Sequence, residues 1–179
     1  MFVDGSFAQN RDLSSQIGYI VVWANEAPTS NGDEVTIKGN ILHWSSVKCK
    51  RVTRSVLASE LYGMVHGIDI AMAIQGTLDR ILKSLQASVP PVVCTDSRSL
   101  YDCMVKLGTT TEKRLMIDVM AVREAYERRE LSEFRWIEGP DNPADAMTKA
   151  KPNKALERLV DTNELRMKVV GWVDRPGNR

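Results

Sequence analysis

The hydrophobic period of this chain changes near residue 55, and that change constrains its fold more than any other feature. Before it, apolar residues come in β-branched blocks. Residues 18–24 (GYIVVWA) read as a buried strand, and residues 35–46 resume strand character after a loop that contains Pro28 and Gly32. Phe2-Val3-Asp4 reads as the end of a first strand with little in front of it, as in a piece cut from a longer polypeptide. Three strands in a row predict an antiparallel meander. After the change, Leu57, Leu61, Met64, Val65, Ile68 and Met72 recur at helical spacing. They predict one long amphipathic helix that begins near Ser55, breaks at Gly76, continues to Leu85 and is stopped by Pro90-Pro91.

Val92-Val93-Cys94-Thr95 then reads as a short central strand, buried on both faces and ending at Asp96. Helices over 97–107 and 112–129 follow, and the alternating segment 131–138 (LSEFRWIE) reads as the last strand. Asn142-Pro143 opens a further helix, with Asn as N-cap and Pro at the first helical position. The order β-β-β-α-β-α-α-β-α predicts an α/β (α+β) fold. Its five-stranded mixed sheet has three antiparallel strands, then parallel ones, flanked by helices. Trp23, Trp44 and Trp136 fall in these strands and are expected in the core.

Composition removes several function classes. The 24 Lys and Arg nearly balance 23 Asp and Glu, which excludes a bulk polycation but leaves room for a local basic surface. No window approaches the roughly 20 apolar residues of a membrane span. Cys49, Cys94 and Cys103 are odd in number and lack CxxC spacing, which argues against a disulfide framework or a zinc site and for a reducing compartment.

Four acids sit where their surroundings argue against them. Asp4 interrupts an apolar strand end, and Asp96 ends another. If those strands are parallel neighbours, both carboxylates emerge at the edge where open α/β sheets place ligands. Glu60 flanks the apolar stripe of the long helix, and Asp145 lies in the first turn of the helix after the last strand. Such a set, with no His or Cys, suits magnesium or manganese. Each acid also has a plain alternative: Asp4 a turn former, Asp96 an N-cap, Glu60 a solvated helix position, Asp145 a partner of the helix dipole. Their joint order is what distinguishes them.

In that order, Val3-Asp4-Gly5-Ser6, Ser59-Glu60-Leu61, Thr95-Asp96-Ser97 and Ala144-Asp145 resemble the four acidic motifs of ribonuclease H. Glu112 to Leu115, Ile117-Asp118, Arg135-Trp136-Ile137 and the run from Asp141 to Lys149 look more narrowly like the ribonuclease H domain of copia-type LTR retrotransposons, those of fungi above all. The resemblance implies a ribonuclease H-like catalytic domain over residues 1–150, with 151–179 as a C-terminal helix and tail packed on the same domain.

It further implies a two-metal endonuclease acting on the RNA strand of RNA–DNA hybrids and leaving 5′-phosphate and 3′-hydroxyl ends. Two Mg2+ ions, replaceable by Mn2+, would be held by Asp4, Glu60, Asp96 and Asp145. Asp4 would bridge both ions, Asp145 would complete the one that activates water, and Glu60 and Asp96 would hold the one at the leaving oxygen. The expected partner is an adjoining reverse transcriptase polymerase domain, in cytoplasmic virus-like particles of the element and also in the nucleus. Many relatives carry a histidine in the loop before the last acid; here that loop, 138–142, has none. A catalytically silent scaffold would have lost one or more of the acids. A DDE-type transposase would place its glutamate last, whereas Glu60 comes second.

Hybrid binding should rest on phosphate contacts, groove shape and 2′-hydroxyls. The candidate contacts are Arg54 and Ser55 at the end of a basic run that opens the Glu60 helix, Ser97 and Arg98 after Asp96, Asn10 in the loop after Asp4, and Lys113 with Arg114. Each of the basic residues could equally belong to a solvated turn or an ion pair.

Overall fold

A computed structural model describes residues 1–28, 32–106, 110, 112–151 and 153–173. The expected helix end at Leu107 and the last six residues of the expected tail, 174–179, lie outside them. Three strands come first, as the β-branched blocks require: β1 (Phe2–Ser6), β2 (Gln16–Pro28) and β3 (Glu34–Lys48), joined as an antiparallel meander. Helix α1 (Val56–Leu82) then crosses to β4 (Val92–Thr95), which pairs parallel with β1. Helices α2 (Arg98–Val105) and α3 (Met116–Glu127) lead to β5 (Glu133–Ile137), parallel to β4. The chain closes with α4 (Asp145–Thr148), α5 (Lys154–Thr162) and β6 (Glu164–Trp172). No helix among the described residues is long and apolar enough to cross a membrane.

The mixed α/β architecture is the expected one, but the sheet has six strands, not five. The extra strand, β6, pairs antiparallel with both β3 and β5 and closes the order β1-β2-β3-β6-β5-β4. Its Leu165, Met167 and Val169 are buried while Arg166 and Lys168 face out. That alternation is a plain period-2 signal, which a reading of the segment as helix and tail passes over.

Helix α1 runs through Gly76 without a break, because a side chain at that position would meet only open space and the glycine costs no more than its propensity. It also ends before the prolines, in a 3-10 turn at Lys83–Leu85 followed by Gln86 in the left-handed region.

Strand alternation splits the core in two. Val3 packs with Tyr19, Leu61, Met64 and Phe134 under α1, α2 and α3. Phe2 packs with Cys94, Ile137, Leu159 and Leu165 under α5 and β6. Asp4 follows Phe2 by two residues and so leaves β1 on the α4–α5 side. Trp44 and Trp23 are not in either core; they are 63% and 43% exposed. β6 pairs with β3 only along Glu34–Lys38, and Trp44 lies beyond that stretch. Trp136 alone of the three is half-buried, beside Tyr101.

Two glycines bring α1 and β1 close enough to place Glu60 beside Asp4. A Cβ on Gly5 would lie 2.5 Å from the Ser59 carbonyl, and one on Gly63 would lie 2.7 Å from the carbonyl oxygen of Asp4. Only a residue without a side chain fits either point.

Candidate active site

Register sets the first two acids. Phe2 is paired with Cys94 across the parallel β1–β4 ladder, so Asp4 and Asp96, each two residues further on, emerge at one level of the carboxyl edge. Asp145 is the first residue of α4, which packs on β1 and β2. At Gly18, the β2 partner of Asp4, a Cβ would coincide with Met147, so the helix is seated directly on the backbone. The result is a group of three carboxylates, Asp4, Asp96 and Asp145, whose ligand oxygens lie within 4.8 Å of one another. Glu60 is not part of that close group. It is buried on α1 and feels the charges of all three, with the Gly5 N–H donating to it.

Crowding and burial act together on these groups. Burial pushes the Glu60 carboxyl up to about 9, and the charges of Asp4, Asp96 and Asp145 add to the effect. Asp4 rises to about 6 through burial; the Thr148 hydroxyl, which donates to its Oδ2, pulls it back, and Asp145 and Asp96 raise it again. Asp96 is raised by burial against the opposing hydrogen bond from Asn142.

Two carboxylate oxygens of this group, Glu60 Oε2 and Asp145 Oδ1, are buried with no hydrogen-bond partner among the described residues. Orphaned carboxylate oxygens inside a protein are costly. A donor set made only of hard oxygens, with two of them waiting for a cation, fits magnesium or manganese.

Three residues that shape this site are not among the candidate site residues read from the sequence. Asn142 was expected to cap the next helix; Ala144 holds that position instead. Fully buried, Asn142 donates from Nδ2 to the Val3 carbonyl (3.0 Å) and to Asp96 Oδ1 (2.9 Å), and accepts from the Ala144 N–H (3.1 Å). Its amide thus ties β1, the end of β4 and the start of α4 together. Thr148 and Lys149 hold Asp4 and Asp145 respectively, the lysine by an ion pair from Nζ to Asp145 Oδ2. The signal for both was their spacing, three and four residues after Asp145, which puts side chains on one helical face. Burial works against the Lys149 charge, but the hydrogen bond to Asp145 and the charges of Asp145, Asp4 and Asp96 outweigh it and raise the pKa.

The candidate substrate contacts separate into groups. Arg54, Lys113 and Arg114 line one surface groove together with Glu112. Ser55 caps α1 by accepting from the Ala58 N–H (3.1 Å) and also hydrogen-bonds Glu112, so it links the helix start to that groove. Arg114 is paired with Glu112 at 3.1 Å. Ser97 caps α2, and Arg98 lies over the Trp136 ring at 5.4 Å with its side chain mostly open to solvent. Asn10 is committed inside its own loop, donating to Ser14 Oγ (3.0 Å) and Gln16 Oε1 (3.3 Å).

No family model matches the chain, and no curated protein matches it. Its fold is similar to that of LC11-RNase H1, a ribonuclease H1 isolated from compost by a metagenomic approach, with a TM-score of 0.54. The two are 19% identical over 89% of this chain and 95% of that one. The likeness is one of fold: the mixed sheet with its flanking helices is ribonuclease H-like.

Proposed function

We propose that this chain is a divalent-metal-dependent ribonuclease that hydrolyses the RNA strand of RNA–DNA hybrids. One observation carries the reading: three acids cluster at one sheet edge with a fourth, Glu60, buried within reach of their charges, and two of the oxygens of these acids are buried with no partner among the described residues. A purely structural acid set would be matched by cations and donors. The fold shared with a ribonuclease H1 supports the same reading.

Asp4, Glu60, Asp96 and Asp145 would hold the metal. Divalent ions bound there would activate water and stabilise charge on the leaving 3′ oxygen of an in-line displacement. The chain's own contribution is to preorganise the carboxylates. Asn142 fixes the Asp96 rotamer, Thr148 orients Asp4, and the Gly5–Ser59 approach holds Glu60 in reach. Groups held in place before binding need no reorganisation as charge develops. Arg54, Lys113, Arg114 and Arg98 would take backbone phosphates flanking the cut. The sequence motifs shared with copia-type elements support a setting beside a reverse transcriptase domain, in particles where hybrids are made.

The test is cleavage of a hybrid labelled on each strand, with Mg2+ or Mn2+, for this chain and for Asp4→Asn and Asp145→Asn. RNA-strand cutting that disappears in both variants and with EDTA is the expected result. A folded chain that binds hybrid but cuts neither strand with either metal would turn the reading toward a nucleic-acid-binding scaffold.

A further inference from the structure

We propose that Lys149 is a tethered counter-ion of the acid cluster that competes with a divalent cation for it, so that this lysine sets the affinity of the site for metal. The inference rests on the metal-dependent reading above and concerns a residue that reading does not use.

Lys149 directly follows α4, four residues after Asp145, and its ammonium pairs with Asp145 Oδ2. Asp145 therefore has one oxygen held by the lysine and one, Oδ1, buried without a partner. The neighbouring residue does the equivalent for Asp4, whose Oδ2 accepts from the Thr148 hydroxyl. The end of α4 thus supplies a cation and a hydroxyl donor to two of the three clustered carboxylates. They cover only part of the set, since Glu60 Oε2 is left over. Among the described residues one positive charge, that of Lys149, acts on three clustered carboxylates with a fourth nearby, so the cluster stays under-neutralised even with the lysine in place.

The lysine is built to leave. Its side chain is 53% exposed while that of Asp145 is 13% exposed. The carboxylate is fixed, whereas the ammonium can rotate into solvent along a flexible stem and lose little buried surface. A group attached four residues away competes at a high effective concentration, well above that of a free monovalent ion. A divalent ion at Asp145 meets the ammonium as a like charge on the same carboxylate, so the lysine competes with it and removing the lysine strengthens metal binding. A lysine that merely holds Asp145 in position would act with the opposite sign, because its loss would loosen a ligand.

The experiment is calorimetric titration of Mg2+, and separately of Ca2+, into the full chain without nucleic acid. It compares the wild type with Lys149→Met, Lys149→Gln and Lys149→Arg, each checked for folding by circular dichroism. Both neutral variants are expected to bind divalent ions about tenfold more tightly, the scale of one partly buried, charge-assisted pair. Lys149→Arg should return affinity to near the wild-type value, because it restores the competing cation. In EDTA the neutral variants should melt lower than wild type, since the cluster has lost its resident charge. Unchanged or weaker divalent binding in Lys149→Met and Lys149→Gln overturns the proposal while leaving the metal site itself standing. Absence of divalent binding in wild type and variants alike would overturn both this inference and the metal-dependent reading.

Discussion

Two groups of carboxylates lie on the same sheet or its edge and are treated in opposite ways. Glu26 on β2 and Glu133 on β5 meet the guanidinium of Arg135, which is nearly buried; the contacts are 2.7 and 3.1 Å to Glu26 and 2.7 Å to Glu133. Burial disfavours the Arg135 charge, but the hydrogen bonds to Glu133 and Glu26 more than offset it and keep the side chain charged. Eight residues back along β2 from Glu26 is Gly18, the partner of Asp4, and there four acids share one lysine and three neutral donors, the Thr148 hydroxyl, the Asn142 amide and the Gly5 N–H. The first group joins strands. The second repels itself, and burial pushes protons onto Asp4, Glu60 and Asp96. Protein interiors accept charges that are paired and hydrogen-bonded; a cluster left incomplete is where a ligand belongs.

The strongest way to break this contrast is to remove one charge from the incomplete group. Asp4→Asn should lower hybrid cleavage by about 10³-fold, the several kcal/mol expected for loss of metal-assisted charge stabilisation. Its metal-free melting temperature should hold or rise, because a repelling buried charge is gone. Retained cleavage with a lower melting temperature would make Asp4 a structural residue like Arg135.

Removing the cation from the complete group should do the reverse. Arg135→Met is expected to destabilise the fold by about 2–3 kcal/mol, below the range for a fully buried pair because Glu26 is 41% exposed. That corresponds to a drop of roughly 5–10 °C in melting temperature for a domain of this size. Divalent affinity, read by titration, should be unchanged; a large loss would mean that the two groups are coupled.

The contrast also has a pH signature. Glu60 at about 9 and Asp4 at about 6 hold protons more tightly when folded than as free side chains, near 4. The folded state thus binds more protons than the unfolded one across that interval, and stability falls as pH rises through it. Melting of the metal-free chain should therefore decline from about pH 5 to about pH 9. Saturating Mg2+ or Glu60→Gln should flatten the decline, and Arg135→Met should leave it intact. A flat profile for the metal-free wild type would remove the self-repulsion on which the contrast stands.

The smallest effect concerns cations outside both groups. Arg98 stacks on Trp136 with its charge largely open, unlike the enclosed Arg135. Arg98→Ala should weaken hybrid binding a few-fold and reduce the salt slope by about one phosphate contact, with no change in melting temperature. A change in stability instead would place Arg98 with the structural charges.

Much of this was legible from local pattern, and some of it was not. Three early strands, one long helix, and the acids Asp4 and Asp96 at strand ends follow from periods of two and 3.6 and from apolar runs that stop at a carboxylate. These are properties of neighbouring residues. β6 carried the same kind of signal, but its placement between β5 and β3 needs partners on β3 more than a hundred residues away. Trp23 and Trp44 show the converse: their strands read correctly, yet both side chains are exposed, because burial depends on what packs over each face, which local sequence does not contain.

The sequence by itself determined the element types up to β5, the order of the four acids and their oxygen-only chemistry, because periodicity and side-chain identity are carried by the chain. Only the tertiary structure decided which charges are completed and which are left open. Asn142 became a clasp between Val3 and Asp96 instead of a helix cap. Lys149 became the cation at Asp145, and Arg135 was enclosed by two glutamates. Those outcomes are set by distances and burial across the sheet, where a few ångströms and the exclusion of water turn the same ionic groups into a brace or a site.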